Sequence, residues 1–500
     1  MVESLSLLLG GFATALQPVN LLFAFAGCVL GTLVGILPGI GPVAGTAVLL
    51  PVTFGLPPAA GIIMLAAIYY GAMYGGTLTS VLVNVPGEAA SAITCIDGYA
   101  MARQGRAGPA LTVAALGSFV GGMVATLGLV LLAVPLTKLA LKFGPPEFFA
   151  LMLVGLSLVS SLAGRSILLA LVSAVIGLLI AMVGIDPVAG APRFTFGRLE
   201  LMSGINVVIV AMGLFGVGEI LLSLEREVPF KPIGTRLRDL FLGPEDARRS
   251  VLPVFRGTAI GFFLGLIPGV GAVVPTVMSY VAEKRMSRTP ERFGTGMIEG
   301  VAGPETANNA YATSALIPLF TLGIPGSPTV AVIMGAFMMK GLIPGPFLFR
   351  DHAAVAWGVI ASLCVGNVIL LILNLPLIPL WVKILKIPRP ILFAFILGFC
   401  VIGAYSINSE MFDVGLMAAF GVLGYLLKKL DIPLAPLILT LILGPLMEQS
   451  LRQSLEISRG DFSILFTRPI SAALIVIAAV FAVVSSLRIA ASVRGADSEV

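Results

Sequence analysis

Two stretches of small polar residues lie inside apolar surroundings, and their side chains suit the binding of ions and acids. The first stretch, residues 69–91, carries hydroxyls, an amide and a carboxylate around the sequence NVPGE at 84–88. Hydroxyl, amide and backbone oxygens coordinate hard cations such as Na⁺, and hydroxyls and amides also donate hydrogen bonds to a carboxylate. The candidate binding residues here are Thr77, Thr79, Ser80, Asn84, Pro86, Gly87, Glu88 and Ser91.

The second stretch, residues 299–329, has the same character and contains the sequence GIPGS at 323–327. Two adjacent amides within it need several hydrogen-bond partners each if they are buried, which favours a functional role. The hydroxyl residues of both stretches have an alternative role, because small polar residues are ordinary in contacts between membrane helices. The candidates in this stretch are Asn308, Asn309, Thr313, Ser314, Pro325, Gly326, Ser327 and Thr329.

Two further Gly/Pro sequences, GILPGIG at 35–41 and GLIPGVG at 265–271, interrupt apolar segments. A helix broken within lipid frees backbone groups that must be buried in protein or line a wet cavity. Freed carbonyls can bind a cation, and the N-terminus of a half-helix attracts a carboxylate. The candidate ion ligands are Gly39, Gly41, Asn84, Gly269, Gly271, Asn308 and Gly323.

Glu88 and Glu305 are the acids nearest these sequences. An acid inside the membrane is a candidate proton or sodium ligand, whereas an acid at the membrane surface is simply solvated, and for Glu88 both interpretations stay open. Asp97, Arg103, Arg106 and Lys340 are expected where short apolar arms return to the membrane surface. The alternative is that a cationic residue among them binds an anionic substrate.

The rest of the sequence argues against catalysis. The chain has a single histidine, His352, and four widely spaced cysteines, so His-based triads and zinc or iron–sulfur spacings are absent. It also lacks a Walker A sequence, which excludes an ATP-driven pump. We therefore expect no enzyme activity, no cofactor and no metal beyond Na⁺. The energy must come from an ion gradient, with Na⁺ or H⁺ as the coupling ion, or from a separate chain.

The composition requires lipid around the elements that position these residues. Apolar residues make up 58% of the 500 residues and charged residues 11%, against roughly 25% charged in average soluble chains. The continuously apolar segments predict an all-α polytopic membrane protein with roughly 10–12 transmembrane helices rather than a barrel. The predicted segments are residues 18–36, 59–83, 112–137, 166–184, 203–224, 353–380, 391–407, 411–427, 433–447 and 467–489.

Lysines and arginines cluster in the polar region 225–256, near the middle of the chain. Cytoplasmic loops of membrane proteins collect such residues, so the net charge of +5 indicates membrane topology rather than nucleic-acid binding. The predicted divisions are a first membrane repeat at 1–224, a cytoplasmic linker at 225–252, a second membrane repeat at 253–450, and a C-terminal segment with a final transmembrane helix at 451–500.

An internal duplication is indicated because three Gly/Pro landmarks recur in the same order. GILPGIG matches GLIPGVG, NVPG matches GIPG, and the stretch 101–109 matches 339–346. Each Pro-Gly pair is followed by an apolar run of about a dozen residues, too short to span a bilayer, which predicts two re-entrant hairpins. Duplicated, Gly/Pro-broken segments are typical of secondary transporters, and we favour inverted repeats with 84–88 and 323–327 meeting near the membrane midplane.

At these residues the sequence resembles the large membrane subunit of tripartite tricarboxylate transporters, the TctA family. The resemblance extends over about residues 18–450 and is carried by residues 35–41, 70–80, 84–88, 97–109, 265–271, 307–314 and 322–327. It implies a multi-pass protein of the bacterial inner membrane that imports carboxylates, citrate being the founding substrate, with a Na⁺ or H⁺ gradient. It also implies two partners, a small membrane subunit and a periplasmic solute-binding protein that delivers the substrate. An elevator-like movement of the hairpins is the expected mechanism.

A channel or lipid flippase is the alternative function. A channel is expected to carry rings of pore-lining charge, and no regular pattern of this kind occurs in the sequence.

Overall fold

The chain folds almost entirely into helices, and eight of the described helices are long and apolar enough to cross a membrane. The computed structural model describes residues 2–37, 40–159, 166–186, 190–225, 233, 239–384, 387 and 389–481. Within these residues one short antiparallel ladder pairs Gly184–Ile185 with Pro192–Arg193. The predicted all-α polytopic membrane fold is therefore confirmed.

The elements before the basic mid-chain region include two interrupted helices. A 3₁₀ turn, Leu50–Thr53, continues α3, a second, Ala89–Ala92, precedes α5, and a third, Leu199–Leu201, precedes α9. A π-helical segment, Met212–Val217, joins α9 to α10. The helices are α1 (Val2–Ala15), α2 (Pro18–Ile36), α3 (Gly41–Leu49), α4 (Pro58–Val83), α5 (Thr94–Arg103), α6 (Ala107–Ala140), α7 (Pro145–Val159), α8 (Ile167–Ala181), α9 (Val207–Ala211) and α10 (Gly218–Leu224).

The helices after the basic region repeat the alternation of long and short elements, with a 3₁₀ turn at Pro290–Arg292. They are α11 (Pro244–Gly265), α12 (Val273–Met286), α13 (Glu299–Ser314), α14 (Leu316–Leu322), α15 (Pro328–Met339), α16 (Pro346–Asp351), α17 (Ala353–Asn374), α18 (Ile378–Ile384), α19 (Arg389–Asn408), α20 (Met411–Lys429), α21 (Leu434–Ile457) and α22 (Ile464–Thr467).

The membrane-length helices agree with the predicted apolar segments. They are Pro18–Ile36, Pro58–Val83, Ala107–Ala140, Val207–Leu224, Ala353–Asn374, Pro390–Asn408, Met411–Lys429 and Leu434–Ile457, and each overlaps a prediction. The segments predicted at 166–184 and 467–489 correspond to shorter apolar helices, Leu168–Ala181 and Pro469–Phe481, and residues 482–489 lie outside the described residues. The total of 10–12 crossings stays a prediction.

The predicted linker 225–252 ends inside a helix, because α11 begins at Pro244. Its residues 226–232 and 234–238 lie outside the described residues. The division of the chain into two membrane repeats stays a prediction.

Two helix pairs use the same glycine spacing for close packing. On α2, a methyl group at Gly31 would lie 2.4 Å from the Ile68 carbonyl oxygen of α4, and Gly27 and Gly35 approach α4 in the same way. On α11, a methyl group at Gly261 would lie 2.3 Å from the Ala307 carbonyl oxygen of α13. Small residues four apart let membrane helices approach closely, so each pair is fixed in register by its glycines.

Candidate functional site

The first tip, residues 84–88, begins where α4 ends. Asn84 closes the helix in the left-handed conformation (φ 61°), and the Val85 amide donates to the Thr79 carbonyl, six residues back, at 3.4 Å. Left-handed backbone after a helix is a common C-terminal cap that glycine or asparagine adopts. Glu88 then takes an extended conformation and starts the turn Ala89–Ala92.

The second tip, residues 323–327, follows the same course. Gly323 closes α14 in the left-handed conformation (φ 73°), and the Ile324 amide donates to the Pro318 carbonyl, six residues back, at 3.3 Å. Ser327 is extended and accepts a hydrogen bond from the Val330 amide at 3.3 Å, which caps α15. The two tips therefore share one backbone path.

Each tip packs against the Gly/Pro sequence of its own part of the chain. We call the sequence 35–41, whose residues 38 and 39 lie outside the described residues, the first Gly loop, and the sequence 265–271 the second Gly loop. A methyl group at Gly87 would lie 1.9 Å from the Gly35 carbonyl oxygen, so backbone touches backbone there. In the second tip, the Gly269 amide donates to the Gly326 carbonyl at 3.1 Å.

Both tips and both Gly loops line a single cavity of about 340 Å³, which we call the tip cavity. This volume lies at the lower end of the range for small-molecule pockets, roughly 300–1,000 Å³. The lining residues are Ile40, Gly41, Pro42, Val43, Tyr69, Met73, Pro86, Gly87, Glu88, Ala89, Ala90, Phe215, Glu219, Gly271, Ala272, Val273, Tyr311, Ser327, Pro328, Thr329 and Lys428.

The N-termini of three helices converge on this cavity. α3 begins at Gly41, α12 at Val273 and α15 at Pro328, and these residues all line the cavity. The first turn of a helix has amide hydrogens without helical partners, and its N-terminus carries roughly half a positive charge. Three such ends facing one space make it attractive to an anion.

A carboxylate and an amide from different parts of the chain meet beside the cavity. The Asn308 Nδ2 donates to the Glu88 Oε1 at 2.7 Å, and both side chains are buried. The Asn308 Oδ1 is buried without a hydrogen-bond partner among the described residues. Tyr69 and Ser327 both line the cavity, and the Tyr69 hydroxyl is likewise buried without a hydrogen-bond partner among the described residues. Buried polar atoms of this kind usually have a ligand or water.

Glu305 forms a second buried polar cluster behind the first. Its Oε2 accepts a hydrogen bond from the Thr77 hydroxyl at 2.5 Å, and its Oε1 accepts one from the Thr94 hydroxyl. Asn309 donates to the Ser118 hydroxyl at 2.7 Å. Thr77 and Glu305 come from α4 and α13, so this cluster joins the two glycine-packed helix pairs.

The chain is similar to a known protein family over most of its length. The family model described as "Tripartite tricarboxylate transporter TctA family" matches residues 21–439. The chain belongs to the TctA family. The family resemblance found in the sequence is thereby confirmed, and the protein is a multi-pass membrane subunit of the tricarboxylate transporter type.

Two curated relatives of this TctA-family protein come from Agrobacterium vitis. The chain is 52% identical over 487 residues to an "uncharacterized 52.8 kDa protein in TAR-I ttuC' 3'region", with 97% of each chain covered. It is 48% identical over 231 residues to an "uncharacterized protein in TAR-II ttuC' 3'region", a match that covers 46% of this chain and 96% of that one. No solved structure matches the chain.

The structure brings some of the predicted site residues of this TctA-family chain to the tip cavity. Asn308 reaches the cavity through Glu88. The predicted residues that line the cavity directly are Gly41, Pro86, Gly87, Glu88, Gly271, Ser327 and Thr329.

Other predicted residues do not line the tip cavity. Asn84 is exposed at the end of α4, Ser80 and Ser91 bond to each other at 2.9 Å, and Ser314 bonds to the Gly261 carbonyl at 3.3 Å. Gly39 lies outside the described residues. The remaining ones are Thr77, Thr79, Asn309, Thr313, Gly269, Gly323, Pro325 and Gly326, which lie elsewhere in the tips, the second Gly loop, α4 and α13.

The sequence-based site missed an ion pair at the cavity. Glu219 of α10 and Lys428 of α20 both line it and bond to each other. An acid inside an otherwise apolar span is a candidate functional residue, which is how Glu88 and Glu305 were identified. Glu219 has the same feature and could have been identified in this way. Tyr69 and Tyr311 were also missed as lining residues, and the Tyr311 hydroxyl donates to the Gly326 carbonyl at 3.4 Å.

The arm after each tip is anchored on the other part of the chain. Asp97 of α5 is fully buried and accepts hydrogen bonds from the Tyr280 hydroxyl at 2.8 Å and from backbone amides of the loop before α13. Lys340, at the end of α15, donates to the Phe54 and Leu56 carbonyls at 2.7 and 2.8 Å. The arm after the first tip is thus anchored on the loop before α13, and the arm after the second tip is anchored on the loop before α4. The anchors are exchanged between the two parts of the chain.

Proposed function

We propose that this protein imports carboxylates as the substrate-carrying membrane subunit of a tripartite system, and that the tip cavity is the substrate site. The observation that carries the proposal is the shared cavity, because both Pro-Gly tips and three helix N-termini face it. A solute with several carboxylates is the ligand that this arrangement favours.

The N-termini of α3, α12 and α15 bind the substrate carboxylates in this proposal. A helix N-terminus stabilises an anion by about 0.3–1 kcal/mol at an exposed site and up to about 2 kcal/mol in a partly buried one. Lys428 forms an ion pair with Glu219 at the cavity wall, and its ammonium group is placed to donate hydrogen bonds to a substrate carboxylate as well. Ser327 and Thr329 are the hydroxyls placed to complete the binding of the anion.

The coupling ion binds at Glu88 and Asn308. A carboxylate beside an amide oxygen that lacks a hydrogen-bond partner offers two oxygens to Na⁺, and the same carboxylate can instead take up a proton. The backbone carbonyls of Gly41 and Gly271, two residues of the cavity lining, supply further oxygens. Binding of the cation next to the substrate anion lowers the cost of carrying either charge through the membrane.

The two parts of the chain form inverted repeats in this proposal, and each tip with its arm is a re-entrant hairpin. The matching turns, Gly loops and glycine-packed helix pairs support a duplication. The exchanged anchors at Asp97 and Lys340 support movement of both hairpins as one unit. Sliding of that unit past the other membrane helices would carry the cavity across the membrane in an elevator-like cycle.

Membership of the TctA family supports the partners and the location. We propose that a small membrane subunit completes the membrane complex and that a periplasmic solute-binding protein delivers the substrate. The location that fits both is the bacterial inner membrane, with the basic region 225–256 on the cytoplasmic side.

The test is uptake of labelled citrate and of dicarboxylates into membrane vesicles that contain the complete system, with and without Na⁺ and pH gradients. We expect accumulation of at least one carboxylate when either gradient is imposed and little without it. Uptake at the same rate with and without both gradients would contradict coupling to an ion gradient. Passage of many solutes without the binding protein would instead support a channel.

A further inference from the structure

A second cavity, apart from the tip cavity, lies between α11, α12 and the loop that follows α12. Its volume is about 520 Å³, and five arginines line it, namely Arg248, Arg249, Arg256, Arg288 and Arg292. None of these residues contributes to the tip cavity. The cavity is therefore a separate basic site that shares no lining residue with the proposed substrate site.

Two of the arginines are neutralised and form the cavity wall. Arg249 bonds to both carboxylate oxygens of Glu299 at 2.8 Å. Arg256 bonds to both carboxylate oxygens of Glu283, at 2.8 and 2.5 Å, and the Glu283 side chain is only 2% exposed. Two-pronged arginine–carboxylate pairs fix the geometry of both partners, so these walls hold their shape without a ligand.

The other three arginines leave the cavity with excess positive charge. Arg248, Arg288 and Arg292 are exposed and make no ion pair in the part of the chain that the structure describes. The remaining acid of the lining, Glu245, lies 3.9 Å from Arg249 and is 86% exposed. Guanidinium groups are the preferred protein partners of phosphate, because their planar donors match its oxygens.

Apolar side chains extend from the rim of this cavity along the helices. Leu252 and Met286 belong to the lining and are each 62% exposed. Phe255, one helical turn beyond Leu252 on α11, is 62% exposed as well. A basic recess that continues into an exposed apolar helix face matches a molecule with a charged head and an acyl tail.

We propose that this cavity binds the phosphate headgroup of an anionic phospholipid. Arg248, Arg288 and Arg292 hold the phosphate, and the acyl chains lie along Leu252 and Phe255. Basic pockets between membrane helices on the cytoplasmic side are known to take anionic headgroups. Arg248 belongs to the basic region 225–256, which is predicted to face the cytoplasm, and Arg288 and Arg292 line the same cavity from the loop after α12.

The test is lipid retention, measured by native mass spectrometry on the full-length protein with added phosphatidylglycerol or phosphatidylethanolamine. We expect wild-type protein to retain phosphatidylglycerol preferentially. A basic residue near an anionic headgroup contributes a factor of roughly five, so the double variant Arg288→Gln/Arg292→Gln should lose about 25-fold in affinity.

The matched control is Lys284→Gln/Arg285→Gln, which removes the same charge from exposed residues at the end of α12 outside the cavity. This control should retain phosphatidylglycerol within about twofold of wild type if the site is local. Equal loss in both variants would overturn the proposal, because it would mean general attraction to a basic surface. Displacement of the lipid by millimolar inorganic phosphate would also overturn it, since that result assigns a soluble anion to the cavity.

Discussion

The two tips share a backbone path but differ in chemistry. Both end a helix in the left-handed conformation, both continue through Pro-Gly, and both start the next helix from an extended residue. At that last position the first tip has Glu88 and the second has Ser327. The same frame therefore presents a carboxylate on one side of the tip cavity and a neutral hydroxyl on the other.

The surroundings of the tips differ in the same sense. Glu88 is held by Asn308, which comes from α13, whereas Ser327 bonds to its own helix α15. The first tip starts at an exposed residue, Asn84, whereas the second starts at Gly323, which is buried against the Pro344 carbonyl. Under the proposed function we therefore expect the tips to differ in role, the first binding the coupling ion and the second completing the anion site.

The largest effect is expected from a methyl group at the centre of each tip. Gly87→Ala places a carbon 1.9 Å from the Gly35 carbonyl oxygen and 2.7 Å from the Gly76 backbone, so neither neighbour can yield cheaply. We expect a loss of about 3 kcal/mol or more in stability and no measurable uptake. Gly326→Ala, at 2.5 Å from the Ala315 carbonyl oxygen, should cost less, about 1–3 kcal/mol.

Thermal unfolding of detergent-purified protein ranks these variants. Gly10→Ala is the control, because a methyl group there meets nothing within 4 Å in α1. Equal melting temperatures for Gly87→Ala and Gly10→Ala would show that the first tip does not pack on the Gly loop as described.

The next effect directly tests the expected difference in role between the two tips. Glu88→Gln keeps a hydrogen-bond partner for Asn308 but removes the charge, and gradient-driven uptake should fall on the order of a hundredfold because a charged partner contributes roughly 1.5–3 kcal/mol. Ser327→Ala removes only a helix cap and a neutral hydroxyl, so we expect gradient-driven uptake to fall by about fivefold at most. Initial rates of labelled citrate uptake against Na⁺ concentration and pH provide the measurement. Similar losses, with unchanged ion dependence in both variants, would break the comparison.

A smaller effect is expected from Lys428, which lines the tip cavity, than from the tips, and none from its neighbour Lys429. Lys428→Gln should raise the KM for the carboxylate about tenfold, because a positive charge is lost and Glu219 is left facing the substrate. Lys429→Gln is the matched control, since Lys429 bonds to Glu225 and does not line the cavity. The KM for labelled citrate in vesicles distinguishes the two, and a tenfold rise in both variants would contradict a specific role for Lys428.

Composition and the length of the apolar runs were sufficient to predict the membrane fold and most helix positions. A span needs only a long run of apolar residues, which is a local property of the sequence, and the eight membrane-length helices all overlap predicted segments. The Gly/Pro repeats likewise identified the two tips, because the landmarks recur in order along the chain.

Contacts between distant helices could not be predicted in this way. Glu219 and Lys428 are brought together by the packing of α10 on α20, and nothing near either residue in sequence indicates the other. The partner of Glu305 was hidden for the same reason, since Thr77 and Thr94 bond to it from α4 and α5. Asn84 caps α4, and its position before Val-Pro-Gly did not indicate this local role as an alternative to ligand binding.

The smallest effect concerns that cap and sharpens the comparison of the tips. Asn84→Gly gives the first tip the residue that the second tip has at Gly323, and glycine adopts the left-handed conformation without cost. If Asn84 acts only as a cap, uptake should stay within about twofold and stability within a few tenths of a kcal/mol. Asn84→Ala is the matched variant, and strain at φ 61° should lower its stability by about 1 kcal/mol. A large loss of uptake in Asn84→Gly at an unchanged melting temperature would instead assign the Asn84 amide to the ion or the substrate, and the two tips would then differ at both ends rather than at Glu88 alone.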